Sequence, residues 1–346
     1  MQRAVLVGCG AMSRAWLEAA RSIEDLEIVG LADIDPARAA ERASEFGLDG
    51  AVIASGLDEL LERTRPDIVF DVTVPAARHE IVSKALAAGC DVLSEKPMGT
   101  SLDEARDLVA RSAAAGRLHV VVQNRRYIDG VRRIRRAIEG GLIGAVTSLH
   151  CDFFLAPHFG GFREEMAHVL LLDMAIHTFD AARLMAGSAA EAVYCREWNP
   201  ANSWYERDSS AAAIFELSGG AIFTYRGSWC ADGLMTSWES QWRIVGTAGT
   251  ILWDGHEDFR IETARPAEPG RFFSEVAAAE LPPLGPSDRT GGHLGVMQDF
   301  IAATRGGPVP ETVGHENIKS LAMVFGAIES AETGRRVEIR IQEPRA

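Results

Sequence analysis

The chain has no C-x-x-C spacing, no H-x-x-x-H pair, no uninterrupted apolar run of membrane-spanning length, no internal repeat and no low-complexity tract. Each absence removes a class of protein. Its five cysteines, Cys9, Cys90, Cys151, Cys195 and Cys230, are scattered through mostly apolar segments. That excludes a disulfide framework and predicts buried free thiols in a reducing cytosol. His158, His168 and His177 with the nearby acids lack metal-ligand spacing, so no metal is expected. The richest apolar stretch, Val169 to Ala186, is broken by Asp173, His177, Asp180 and Arg183, short of the ~20 residues a membrane helix needs. Met1 to Val7 runs straight into strand-forming residues with no signal-peptide anatomy, and a cytoplasmic protein is expected. Positive charge is also scarce. Thirty-five Lys and Arg against 49 Asp and Glu leave a net charge of −14, which argues against nucleic acid or an anionic membrane as partner. The most basic run, Arg125-Arg126 with Arg132-Arg133 and Arg135-Arg136, reads as a solvated helix surface.

What is present is the composition of an ordinary globular protein, 47% hydrophobic and 24% charged over 346 residues, long enough for about two domains. The first part alternates strands and helices. Apolar strands at Arg3–Val7, Glu27–Ala32, Asp67–Val72, Cys90–Ser94 and Leu118–Val122 are separated by helical segments. Asp35-Pro36 is an N-cap followed by proline at the first helical position, opening Ala37–Phe46. Gly89 stops a helix running from Ala76 to Ala88. Ser101-Leu-Asp-Glu104 is a capping box whose helix ends at Gly116. This alternation predicts a doubly wound parallel sheet. After Val122 the pattern changes. A helix over His168–Ala186 precedes strands at Glu191–Trp198, Ala211–Leu217, Ala221–Trp229, Trp238–Val245, Thr250–Trp253 and Phe259–Thr263, with Gly219-Gly220 as a hairpin turn. Arg265–Ser287 reads as an exposed proline-rich loop, followed by helices near His293–Thr304 and Asn317–Glu332. The expected fold is α/β: a doubly wound parallel sheet in residues 1–122, then an α+β domain with a large, mostly antiparallel sheet in residues 123–346.

Several residues carry chemistry. Glu95-Lys96-Pro97 ends an apolar strand, because proline forbids helix to the residue before it. Lys96 is thereby held at a carboxyl sheet edge, where open α/β folds place ligands, and can polarise a substrate oxygen. The Lys96–Pro97 bond is a candidate cis peptide. Gly8-Cys-Gly10-Ala11-Met12-Ser13 follows the first strand and opens the first helix, the context of a dinucleotide phosphate turn. Ser13 stands where a third glycine is usual, and an ordinary strand–helix turn remains an alternative. Asp33, at the end of the second strand, suits ribose hydroxyls and repels a 2′-phosphate, favouring NAD over NADP, though Arg38 nearby could soften that preference and a plain turn cap fits the same position. Thr73 and Pro75 end another strand as cofactor neighbours, while His79 reads equally as structural. Asp173 and His177 stand four residues apart, on one helix face, within an apolar segment. Histidine suits proton transfer and a carboxylate can orient it; a satisfied surface pair fits as well.

Taken in order, the glycine turn, Asp33, Thr73-Val-Pro75 with His79, Glu95-Lys96-Pro97, Asp173-x-x-x-His177 and the stretch from Asn317 resemble the glucose–fructose oxidoreductase/inositol dehydrogenase family over nearly the whole chain. The resemblance implies a Rossmann domain, a carboxyl-terminal sheet domain often used for oligomerisation (a homodimer or homotetramer), and a nicotinamide cofactor. Gly8, Gly10, Ala11, Met12, Asp33, Thr73, Pro75, His79, Glu95 and Lys96 are the expected cofactor residues. Lys96, Asp173 and His177 correspond to the family's catalytic residues, with His158 and Arg163 as added candidate substrate contacts. The expected reaction passes a hydride between a secondary alcohol of a sugar or cyclitol and NAD, with NADP as the alternative cofactor. Trp229, Trp238 and Trp242 could stack on a sugar ring but read first as core or interface. Two alternatives stay open: a redox-neutral cleavage or elimination with retained NAD, and a non-enzymatic nucleotide sensor.

Overall fold

Short runs of β-branched and aliphatic residues, buried on both faces, form the parallel sheet of the first unit. The computed structural model describes residues 1–267 and 269–341. Its first sheet contains β1 (Gln2–Val7), β2 (Leu26–Ala32), β3 (Val52–Ala54), β4 (Ile68–Asp71), β5 (Asp91–Ser94) and β6 (His119–Val121) in the order β3-β2-β1-β4-β5-β6, all parallel. All four residues of β4 are buried. Parallel strands require crossovers, supplied by α1 (Ser13–Arg21), α2 (Pro36–Glu45), α3 (Leu57–Thr64), α4 (Pro75–Ala87) and α5 (Leu102–Ala115). The strand order reverses between β1 and β4, which makes their carboxyl ends the crevice of such a sheet.

The helix punctuation expected from sequence is found with one variation. The Asp35 carboxylate accepts from Ala37 N, with Pro36 opening α2. Ser101 Oγ accepts from Glu104 N at 3.2 Å, and α5 closes at left-handed Gly116. The Glu104 carboxylate, however, reaches past Ser101 to the backbone and hydroxyl of Thr100, both at 2.7 Å.

The second unit contains α6 (Asp129–Glu139), β7 (Val146–Phe154), the single turn α7 (Phe162–Glu165), a π-helical turn over Leu170–Ala175, α8 (Ile176–Ala186), β8 (Ala190–Trp198), β9 (Ser210–Leu217), β10 (Ile222–Ser228), β11 (Gln241–Gly246), β12 (Gly249–Trp253), β13 (Phe259–Ala264) and β14 (Val276–Ala279). With β15 (Val337–Glu338) these strands make a nine-stranded sheet whose single parallel pair is β7–β10. Its inner face carries Phe153, Phe215, Phe223, Tyr225 and Trp242, all buried. Phe179 of α8 meets Phe215 edge-on at 4.8 Å, so the aromatic core is shared by helix and sheet. Gly219 and Gly220, both at positive φ, turn β9 into β10.

Several expectations are corrected. Compact packing divides the chain into Met1–Tyr127 with Arg289–Leu321, and Ile128–Asp288 with Ala322–Ile341. A single boundary at residue 122 therefore misses a segment that returns to the first unit, namely α9 (His293–Thr304) and the start of α10 (Gly314–Thr333). There Val296, Met297, Phe300 and Ile301 complete the core around Leu6, Trp16 and Phe70. The expected loop Arg265–Ser287 contains β14, which pairs with β13; residue 268 lies outside the described residues, as do residues 342–346 of the second expected domain. Trp238 precedes β11 rather than belonging to it and is 46% exposed. Arg126 and Arg132 are buried, not solvated, because amphipathic α6 and the turn before it present part of the basic run inward. All five cysteines are free and buried. Among the described residues no helix is long and apolar enough to cross a membrane.

Candidate active site

At the carboxyl edge of the parallel sheet, Gly8 takes φ +96° and a Cβ there would sit 2.6 Å from the carbonyl oxygen of Val72, so the first turn requires glycine. A Cβ on Gly10 would meet nothing within 4 Å, which leaves the backbone bare to a ligand. The residue in place of the third glycine is absorbed by packing: Ser13 is fully buried and its hydroxyl donates to Gly10 O at 2.6 Å. Helix α1 begins there with no side-chain cap and no acid in its first turn, so its positive end is uncompensated and suits a phosphate. Asp33 holds the turn by accepting from Cys9 N at 2.8 Å with one carboxylate oxygen and from Asp35 N at 3.0 Å with the other. Each oxygen keeps a lone pair for a ribose hydroxyl. Burial, with Asp33 next, pushes the Cys9 thiol up to about 12, so it stays protonated. Arg38 pairs with Asp35, while Arg42 reaches the Gly10 carbonyl. Met12, Ile34 and Val74 stand 45%, 95% and 66% exposed on the loops after β1, β2 and β4. Bare backbone, an unfilled helix end and three solvent-facing apolar side chains are what a dinucleotide's phosphates and flat rings would cover, so these residues fit NAD.

The lysine loop follows β5. The Lys96–Pro97 peptide is cis. Buried Glu95 accepts from Trp16 Nε1 at 2.8 Å and from Lys96 N at 3.1 Å, with His293 Nε2 3.7 Å away. Burial opposes charge on Glu95, but the donors His293 and Trp16 and the neighbouring Lys96 outweigh it and hold the carboxyl below its ordinary range. His79 turns aside: its Nε2 meets Asp107 at 2.7 Å, tying α4 to α5. Thr73 caps the end of β4, its backbone and hydroxyl both donating to Asp71 Oδ1, and Pro75 starts α4.

Sequence reading missed the most deeply buried charges here. Arg78 and Asp71 are 1% and 0% exposed, with Nε to Oδ2 at 3.1 Å. The same guanidinium donates to the carbonyls of Thr73 and Pro97. One signal was available: an aspartate closing the apolar run Ile68–Asp71 must find a buried partner. Neighbouring His119 is fully buried, bonded to Ser94 Oγ at 2.9 Å; burial first, then the charge of Arg78, push its imidazole down to about 3.

In the second unit the structure brings Arg163, Asp173 and His177 onto one stretch. Asp173 lies in the π-helical turn and His177 in the first turn of α8, not on one uniform α-helix as expected. A π turn is a local departure frequent at functional sites. Arg163 Nε donates to Asp173 Oδ2 at 2.9 Å, and its guanidinium lies 5.0 Å from the ring centres of both Phe159 and Phe162. His177 is 9% exposed. His158 instead stacks on Trp204, ring centres 3.8 Å apart. Trp229 and Trp242 are buried, leaving Trp238 as the exposed member of the three tryptophans considered. Just before the π turn His168 takes φ +52°, and its Nδ1 meets Glu197 at 2.6 Å.

Comparison with known proteins agrees with this architecture. Residues 2–123 match the description "oxidoreductase family, NAD-binding Rossmann fold", and residues 135–339 match that family's C-terminal α/β domain. D-apiose dehydrogenase of Paraburkholderia graminis is 26% identical over 353 residues, 99% of this chain and 91% of that protein. Inositol 2-dehydrogenase of Ralstonia nicotianae is 32% identical over 203 residues, 57% of this chain and 59% of that protein. A crystallised oxidoreductase of Agrobacterium radiobacter, in complex with NAD+, L-tartaric acid and magnesium, superposes with TM-score 0.85 at 23% identity, over 98% of each chain. The protein belongs to the Gfo/Idh/MocA family of NAD-binding oxidoreductases.

Proposed function

We propose that the protein oxidises a secondary alcohol of a sugar, cyclitol or sugar derivative, with Lys96, Asp173 and His177 as the catalytic residues. Relatives named for apiose, 1,5-anhydrofructose and inositol support the substrate class. NAD, when bound, supplies the hydride acceptor. His177 takes the hydroxyl proton as the carbonyl forms, and the Lys96 ammonium stabilises negative charge growing on the same oxygen. Asp173 holds a neighbouring hydroxyl or orients His177, and Arg163, already bound to Asp173, is a substrate contact beside it; His158 is a second. Gly8, Gly10, Ala11 and Met12 would cradle the pyrophosphate, Asp33 the adenosine ribose, and Thr73, Pro75, Glu95 and Lys96 would line the nicotinamide end. The geometry of His79 favours a structural role. Asp33 favours NAD over NADP. The observation that carries the reading is the Lys96 loop, where a lysine is fixed at the carboxyl edge of the parallel sheet by a buried glutamate.

The chain acts as a homo-oligomer in this reading. Tyr194 and Ile214, paired across β8 and β9, stand 48% and 50% exposed on the outer face of the large sheet and suit a second copy. Free buried thiols suit a reducing, cytoplasmic setting.

A screen of cyclitols and aldoses with NAD+ and NADP+, followed at the absorbance of reduced nicotinamide, tests the proposal. Activity with NAD+ is expected. Lys96→Ala and His177→Ala should each lower kcat by about 100-fold or more, and in His177→Ala the dissociation constant for NAD should stay within about threefold. Loss of NAD binding in that variant in parallel with turnover would contradict the roles given. Substrate consumption without released NADH would favour a redox-neutral reaction instead.

A further inference from the structure

The Arg78–Asp71 pair has no part in the chemistry just described, yet it is the most deeply buried ion pair of the first unit's crevice. Burying two charges is expensive, and an apolar pair of similar size would often be as stable or more so. Such a pair can do something that leucines cannot. A guanidinium presents five donors in a rigid planar fork, and here that fork spans three segments. Nε bonds Asp71 at the end of β4, one terminal nitrogen bonds the Thr73 carbonyl, and the other bonds the Pro97 carbonyl beyond β5. The last ladder bond between these strands is Glu95 N to Asp71 O at 2.8 Å. Past it the two segments have no mutual backbone bonds among the described residues, and Arg78 is a cross-link that continues the pairing by other means. Asp71 completes it from below by accepting from both the backbone and the hydroxyl of Thr73.

We propose that Arg78 is a positioning residue for Lys96: by tethering Pro97 to Thr73 it fixes where the lysine ammonium stands relative to the residues that would line the nicotinamide end. This rests on the assignment of Lys96 as catalytic. Glu95 holds the same loop from the other side through Lys96 N and Trp16. Lys96 therefore sits between two buried anchors of opposite charge.

Two variants separate tethering from simple stability. Arg78→Lys keeps the charge beside Asp71 but cannot serve the carboxylate and both carbonyls at once. Arg78→Met with Asp71→Leu removes the pair without leaving a lone buried charge. For Arg78→Lys, kcat should fall about 10- to 100-fold with KM for NAD+ within threefold of wild type. Amide hydrogen exchange of Thr73 and Lys96, measured without cofactor or substrate, should quicken at least tenfold while β1 and β6 amides are unchanged. The double variant should bind NAD and show at least the same loss of kcat. Unchanged kcat and unchanged exchange in Arg78→Lys would overturn the proposal, as would equal losses in kcat and NAD affinity. Should the double variant fail to fold, Arg78→Lys decides alone. A wild-type protein that oxidises no polyol would instead remove the functional reading. The exchange measurement would still show whether Arg78 tethers the loop.

Discussion

His119 gives the first unit a specific sensitivity to acid. Its imidazole is fully buried in β6, bonded through Nε2 to Ser94 and close enough to Arg78 to feel its charge. Burial and that charge lower its folded value to about 3 from the ordinary 6.5. A base whose folded value is depressed binds fewer protons in the native state than in the unfolded chain. Stability is therefore complete above pH 6.5, and is lost as pH falls toward the folded value. At pH 5 the unfolded chain gains about RT ln(1 + 10^1.5), or ~2 kcal/mol, relative to pH 8. That corresponds to a drop of about 4–8 °C in the melting temperature of a unit this size. The window from pH 8 to 5 lies above the range where Glu95 and Asp107, both held below the ordinary carboxyl range, would begin to protonate. Thermal melts of wild type and His119→Gln across that window are the assay. Glutamine keeps a polar group for Ser94 but does not titrate, so the variant's melting temperature should fall markedly less between pH 8 and 5. Parallel slopes for the two proteins would refute the reasoning.

The second unit should respond to pH with the opposite sign. The bond to the Glu197 carboxylate raises His168, a shift that burial only partly opposes. Its contribution is thus complete below pH 6.5 and lost as pH rises through the folded value. His168→Gln should flatten the fall in stability of this unit between pH 6 and 9, read by hydrogen exchange in the π turn and β8. Gly8→Ala places a methyl 2.6 Å from Val72 O at φ +96°. It should cost about 1–3 kcal/mol or more in stability and abolish measurable NAD binding by calorimetry; unaltered binding would show that the turn does not cradle the cofactor.

Local punctuation was readable because it depends on residues close in sequence. Asp35-Pro36, Ser101 and Gly116 mark helix ends by backbone geometry alone, and the structure reproduces them. The parallel sheet was readable for the same reason, since each buried strand is a short apolar run. The return of Arg289–Leu321 to the first unit was not. Nothing in a largely apolar helix such as α9 says which core it joins. The π turn was hidden too: in Leu170-Leu-Leu-Asp-Met-Ala175 nearly every position is apolar, so no stripe distinguishes one helical period from another.

The candidate residues at the strand ends were legible in the sequence and the buried groups that hold them were not, for a physical reason. A lysine before proline or an aspartate after a strand carries its meaning in its own neighbours. A buried charge carries its meaning in its partner, and partners can lie far apart in sequence, as Trp16 does from Glu95 and Arg78 from Pro97. Arginine in a helix next to a histidine reads as a surface residue until the desolvation cost of Asp71 is taken into account. An acid closing an apolar parallel strand cannot stay charged unpaired, so its counter-ion can be sought among the cations of the same sequence in any such fold. Applied here, Asp71 would have pointed to a cation within the following helix, and that helix offers Arg78, His79 and Lys84. Of these, Arg78 alone pairs with Asp71, while His79 and Lys84 turn to Asp107 and to the Asp58 and Glu80 carboxylates. The crevice is thus organised by a charge pair that sequence narrows to three candidates and geometry to one.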